Sequence, residues 1–185
     1  MKKIIVVWAI FFLITGSSLN AQTGDSFRIE GLVQYFQPSE EAFKDIYGSG
    51  IMFGGEISFK VWEWIYIWTG ADYYNKGGKT TFTQEDTDLR ITPIYGGVMF
   101  QLPNPRFKPY TALGIGYFLY EEENPIGQID GSEIGYIIQL GLRVEAVGPL
   151  FFDVKGAYSI CKTQPGDFEV DLGGVKGGIG IGLEF

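Results

Sequence analysis

From Val175 to Phe185 the chain sets Val175, Gly177, Ile179, Ile181, Leu183 and Phe185 on one parity and Lys176, Gly178, Gly180, Gly182 and Glu184 on the other. A period of two marks a β-strand, whose successive side chains point to opposite faces. The same alternation recurs upstream. Residues 27–37 set Ile29, Val33 and Tyr35 against Arg28, Glu30 and Gln34, and residues 50–60 set Ile51, Phe53, Ile57 and Phe59 against Met52, Glu56, Ser58 and Lys60. In 133–146, Tyr136, Ile138, Leu140, Leu142 and Val144 oppose Gln139, Gly141, Arg143 and Glu145. In 150–162, Phe152, Val154, Tyr158 and Ile160 oppose Asp153, Lys155, Ser159 and Cys161. Segments 63–75, 88–102, 109–121 and 172–185 complete a predicted set of eight strands. In 63–75 the pattern leaves the faces unassigned, because Trp62, Trp64, Tyr66 and Trp68 share a parity with Asp72; 88–102 is equally ambiguous.

The connections alternate in length. Short ones follow the second, fourth and sixth strands: Val61-Trp62, Pro103 to Lys108, and Val147-Gly148-Pro149. The other four, 38–49, 76–87, 122–132 and 163–171, are longer and more polar. A two-sheet sandwich has no reason to sort its loops in this way. An antiparallel up-and-down barrel crossing a bilayer does, with short turns at one end and long loops at the other.

Two closed barrels fit the alternation: one with its apolar face inward around a ligand, and one with its charged face inward. The charged parity also carries Gly114, Gly116, Gly178, Gly180 and Gly182, and small residues suit the narrow interior of eight strands. The other parity is a poor surface for water. The expected orientation is therefore charged-in and apolar-out, toward lipid. Trp62, Trp64, Phe107 and Phe185 fall near the short-turn end, and Tyr35, Tyr73, Tyr117, Tyr120 and Tyr158 nearer the loops, as two interfacial girdles.

The N-terminus changes the picture once. Met1-Lys2-Lys3, an apolar run from Ile4 to Ile14 and a small-residue exit ending at Ala21 predict a cleavable signal peptide over 1–21 and a mature barrel domain over 22–185. The apolar run is short for a retained transmembrane helix of about 20 residues. Its removal takes Lys2 and Lys3 from the 14 basic residues, leaving 12 against 22 acidic ones. That balance argues against nucleic acid, which requires clustered Lys and Arg. Aromatics at 16% and 27 glycines fit an all-β chain, and a single cysteine forbids an intrachain disulfide.

The inward parity supplies the candidate site. Arg28, Lys60, Arg143, Lys155 and Lys176 are basic; Glu30, Glu56, Glu145, Asp153 and Glu184 are acidic, and Asp72 joins them if its face is inward. Charges in a narrow interior must be paired. They are expected to form an ion-pair network that fills the lumen, with a hydrated conduction path along the same residues as the rival reading. The chain has no histidine, which removes the usual general base of enzymes on such barrels. Cys161 has no histidine partner and is read as a packing residue. No catalytic, cofactor or metal residue is assigned. The loop carboxylates (Glu40, Glu41, Asp45; Glu85, Asp86; Glu121 to Glu123, Asp130; Asp167, Glu169, Asp171) lack calcium-loop spacing and are read as solvated.

Lys108-Pro109-Tyr110-Thr111-Ala112-Leu113-Gly114-Ile115-Gly116-Tyr117 resembles a phrase of small outer-membrane barrels, in which Pro-Tyr leads into a strand of alternating glycine. With eight strands and a terminal Phe185, residues 27–185 resemble the outer-membrane β-barrel domain family, which includes OmpX-like, opacity-like and OmpA transmembrane-domain barrels. The resemblance implies an outer-membrane location in a Gram-negative cell and contact with membrane lipid and lipopolysaccharide. It also implies that Phe185 serves as a signal to the barrel-insertion machinery. It supplies no active residue. The expected role is non-enzymatic, in envelope integrity or surface interaction; a narrow OmpW-like channel, an adhesin and a soluble secreted barrel are the rivals.

Overall fold

The computed structural model describes residues 27–79, 86–124, 127–163 and 170–185. The expected signal peptide 1–21 and the loop residues Glu85, Asp167 and Glu169 lie outside them. In chain order the elements are β1 (Phe27–Pro38), α1 (Glu41–Tyr47), β2 (Gly50–Trp62), β3 (Ile65–Lys79), β4 (Asp86–Gln101) and β5 (Phe107–Asn124). Then follow β6 (Gly127–Glu145), β7 (Leu150–Ile160), the two-residue strands β8 (Lys162–Thr163) and β9 (Val170–Asp171), and β10 (Gly174–Glu184). Eight of these strands close into one antiparallel barrel in the ring order β1-β10-β7-β6-β5-β4-β3-β2. Closure leaves no open sheet edge within the barrel wall, the condition for strands in hydrocarbon.

The seam joins β1 to β10. The Phe27 N–H donates to the Phe185 carbonyl at 3.1 Å, and the Phe185 N–H donates to the Phe27 carbonyl at 2.8 Å. Register then sets which side chains meet: Arg28 stands opposite Glu184, and Glu30 opposite Glu56 on the other flank. The orientation is charged-in. Arg28 is 1% exposed whereas its neighbour Ile29 is 48% exposed, and on β10 Ile179 is 64% exposed whereas Lys176, Gly180 and Gly182 of the other parity are buried.

The ambiguous faces resolve through a bulge. Pairing of β2 with β3 shifts between Lys60 and Trp62, so Trp62 and the turn residue Trp64 stay exposed while Tyr66, Trp68, Asp72 and Tyr74 point inward. On β4 the inward parity is Leu89, Ile91, Tyr95, Met99 and Gln101. Tyr35, Tyr73, Tyr117 and Tyr158 are exposed on the outer wall. Tyr120 is not; it turns inward with Phe118 and packs at the mouth.

Three of the expected long loops are built otherwise; in 76–87 the β3–β4 pairing runs on to Lys79 and Asp86. Segment 122–132 continues the β5–β6 hairpin, with cross-strand pairs running on to Asn124 and Gly127. A strand beyond the bilayer can be polar on both faces, so its carboxylates do not break it. Segment 38–49 holds α1. Phe43, Ile46 and Tyr47 recur at helical spacing and turn toward the barrel, and Gly48 ends the helix in the left-handed region at φ 66°.

Candidate functional site

The lumen is packed in three tiers. In the lowest tier, beside the short turns, the Arg28 guanidinium donates to Glu184 Oε1 (Nε at 2.7 Å), to Gln101 Oε1 at 2.9 Å and to the Tyr66 hydroxyl at 2.8 Å. Gln101 Oε1 also accepts from Arg143 at 3.0 Å, which ties the two arginines together. Lys108, missed in the sequence reading because Pro109 follows it at the strand start, reaches Glu145 at 2.6 Å and Glu184 at 3.2 Å.

The middle tier centres on Lys155. Its ammonium lies 2.9 Å from Glu56, 3.3 Å from Glu30 and 3.5 Å from Asp153. Arg143 adds contacts to Glu30 at 3.5 Å and Asp153 at 3.7 Å. Neutral donors complete the carboxylates: Gln139 to Glu56 at 2.9 Å, Tyr110 to Asp153 at 2.7 Å and Tyr95 to Asp72 at 3.0 Å. Asp72 also takes Lys176 at 2.5 Å and Gln34 at 2.9 Å. Burial of charge at this depth is tolerable only because almost every ion meets an opposite charge and further hydrogen bonds.

The remaining sector of the same tiers is aromatic and apolar. Tyr66, Trp68, Tyr95, Met99, Tyr110 and Ile137 of β3 to β6 form one buried cluster. Glycine makes room for it. A Cβ at Gly141 would collide with the Tyr110 ring, and one at Gly180 would strike the Glu30 carboxylate. Tyr110 and Glu30 thus each face an emptied position on another strand.

The third tier closes the loop end with a different chemistry. Phe36, Met52, Tyr74, Leu89, Ile91, Phe118 and Leu172 form an apolar cluster, and α1 presses Phe43 and Tyr47 into it. The Phe36 ring meets Tyr74 edge-on at 5.2 Å and Phe43 at 6.5 Å.

The structure brings nine of the ten expected lumen charges inside or to the inner rim: Arg28, Glu30, Glu56, Arg143, Asp153, Lys155, Lys176 and Glu184 are buried, and Glu145 is half-buried. Lys60 is the exception. It is exposed, because the bulge that follows it falls below the last packed tier. Asp72 joins the network. Cys161 is buried at the mouth; burial, then Asp171 and Glu133, pushes its thiol up to about 12. A protonated, enclosed thiol is a packing group. Among the described residues no group of three or more His, Cys, Asp or Glu side chains is arranged to hold a metal ion.

No protein-family model matches the chain, and no curated protein matches it either. Solved structures do. Neisserial surface protein A superposes with a TM-score of 0.61 at 15% identity over 88% of this chain and 100% of that one. Ail, the attachment invasion locus protein of Yersinia pestis, gives 0.59 at 14% identity, with 88% and 100% covered. The N-terminal β-barrel domain of Pseudomonas aeruginosa OprF gives 0.56 at 13% identity, again with 88% and 100% covered. At these identities the likeness is one of fold: the chain has the fold of small eight-stranded outer-membrane barrels.

Proposed function

We propose that the mature chain, residues 22–185 after removal of 1–21, is an integral outer-membrane barrel with a closed lumen and a non-enzymatic role in the envelope. The observation that carries this reading is the tiered filling of the interior, ionic below and apolar at the mouth. An outer wall of exposed Ile, Val, Leu and Phe on nearly every strand supports a lipid setting, since so wide an apolar surface would not stay dispersed in water. Lipid and lipopolysaccharide are then its immediate surroundings. Phe185, exposed at the end of β10 and stacked 6.3 Å from Phe27, is the proposed signal to the insertion machinery.

The decisive experiment is planar-bilayer recording of the purified barrel. A closed lumen gives no reproducible unitary conductance. Stepwise openings would overturn the reading and make a narrow channel the function.

Surface interaction remains part of the proposal through the β5–β6 hairpin, which rises beyond the strands of β7. One structure of Ail holds the heparin analogue sucrose octasulfate. The hairpin here carries Glu121, Glu122, Glu123, Asp130 and Glu133, so it repels a polyanion and suits a neutral or cationic partner.

A further inference from the structure

Above the apolar mouth one carboxylate stands in the wrong company. Leu89 of β4, Glu122 of β5 and Ile129 of β6 form a single cross-strand row on the inner face of the extended wall. Opposite stand Phe43, Ile46 and Tyr47 of α1, with Val170 and Leu172 at the side. Together with Tyr120 and Thr163 they line a half-open cavity of about 240 Å³. Apart from Thr163 its described walls are aliphatic and aromatic, and Glu122 is the one carboxylate among the described lining residues.

Glu122 has no cation of its own. Among the described residues no Lys or Arg pairs with it: Arg90 is engaged with Glu121 on the outer face at 2.8 Å. Lys76 occupies the far end of the row beside Leu89, two strands or about 9–10 Å of sheet away. The nearest hydroxyl, that of Tyr47, is neutral and leaves the charge of Glu122 uncompensated. Thr87 donates to the Glu123 carbonyl at 3.2 Å, and the Tyr47 hydroxyl, 3.1 Å from Thr87 Oγ1, has the Glu122 carboxylate as a second acceptor. Burial, with the Glu122 charge added, holds the Tyr47 phenol above its ordinary range, so it stays neutral.

We infer that this cavity is a binding site for a small amphipathic cation, an ammonium group carrying a short alkyl or aryl tail. The ammonium pairs with Glu122 and lies against the Tyr47 ring, while the tail fills the space between Leu89, Ile129 and Phe43. A carboxylate that has a neutral partner but no cation, beside aromatic faces, selects a cation, and apolar walls select its tail. A cavity this size is smaller than the roughly 300–1,000 Å³ of drug-sized sites, which limits the ligand to a single short chain. The site lies above the closed tiers and needs no open lumen.

The test uses the barrel in zwitterionic nanodiscs, titrated calorimetrically with octyltrimethylammonium below its micellar range, against empty nanodiscs. Octanol and octanoate serve as the neutral and anionic counterparts, and heat-modifiable gel migration verifies folding. The expected result is saturable binding of the ammonium beyond that of empty discs, with octanoate excluded. Glu122→Gln lowers affinity for the ammonium roughly tenfold and leaves octanol unchanged. Ile129→Trp, a position already half in solvent, weakens both. Ammonium heats equal to empty discs, equal binding of octanoate, or either folded variant behaving as wild type would overturn the inference.

Discussion

The lower tiers and the mouth of this barrel are both filled with side chains, and they are filled by opposite means. Below, Lys155, Arg143 and Arg28 hold carboxylates from four strands in a lattice in which each ion depends on several others. Above, α1 rests Phe43 and Tyr47 on a bed of aliphatic and aromatic side chains, with few polar contacts to fix it. The ionic part is built into the wall and cannot leave without unfolding. The apolar tier is also seated on wall residues, but the cap over it is a single short helix, and the free energy holding that helix is local. Closure of the lumen and closure of the mouth are therefore separable properties.

Removing the centre of the ionic lattice gives the largest effect. Lys155→Met leaves Glu30, Glu56 and Asp153 without their shared cation and costs about 3–5 kcal/mol, read as a lowered denaturant midpoint for unfolding from lipid vesicles. At the mouth, Phe43→Ala changes global unfolding by about 1 kcal/mol or less but strips protection from the amides of 41–47 in hydrogen exchange, because only α1 is released. Equal global losses for the two variants would show that the tiers form one cooperative unit. The smallest effect belongs to Lys60→Gln, which stays within about 0.5 kcal/mol of wild type because Lys60 lies outside the lattice.

The ring of eight strands was legible because strand alternation, short turns and glycine placement all point the same way. The charged lattice was legible by parity, and only its membership at the edges was not. Lys60 carries the inward parity, yet parity does not say where the last packed tier ends. Lys108 sits before Pro109 at a strand start, where alternation has too few neighbours to be read. The aromatic sector was hidden for a different reason. Trp68, Tyr95 and Tyr110 occupy the same parity as the charges, and an interior of both kinds looks like a broken pattern until the bulge after Lys60 is seen. α1 left a signal, Phe43, Ile46 and Tyr47 at helical spacing followed by Gly48, but seven residues are too few to declare a helix without the barrel rim they pack on. The β5–β6 extension was mistaken for a loop because acidic composition was taken as loop composition.

The seam between β1 and β10 has a consequence for the order of events in assembly. Arg28 and Glu184 meet across 156 positions of sequence; Glu184 has a second cation in Lys108 of β5, whereas Arg28 has no second carboxylate among the described residues. Glu30 depends in the same way on Lys155 of β7. A half-formed sheet entering hydrocarbon would carry these ions bare, so every intermediate short of the full ring is penalised twice, once for its open edge and once for its unmatched charge. Insertion of the last strand and neutralisation of the first then become one step, and the interior acts as a proofreading device that rewards only the finished circle.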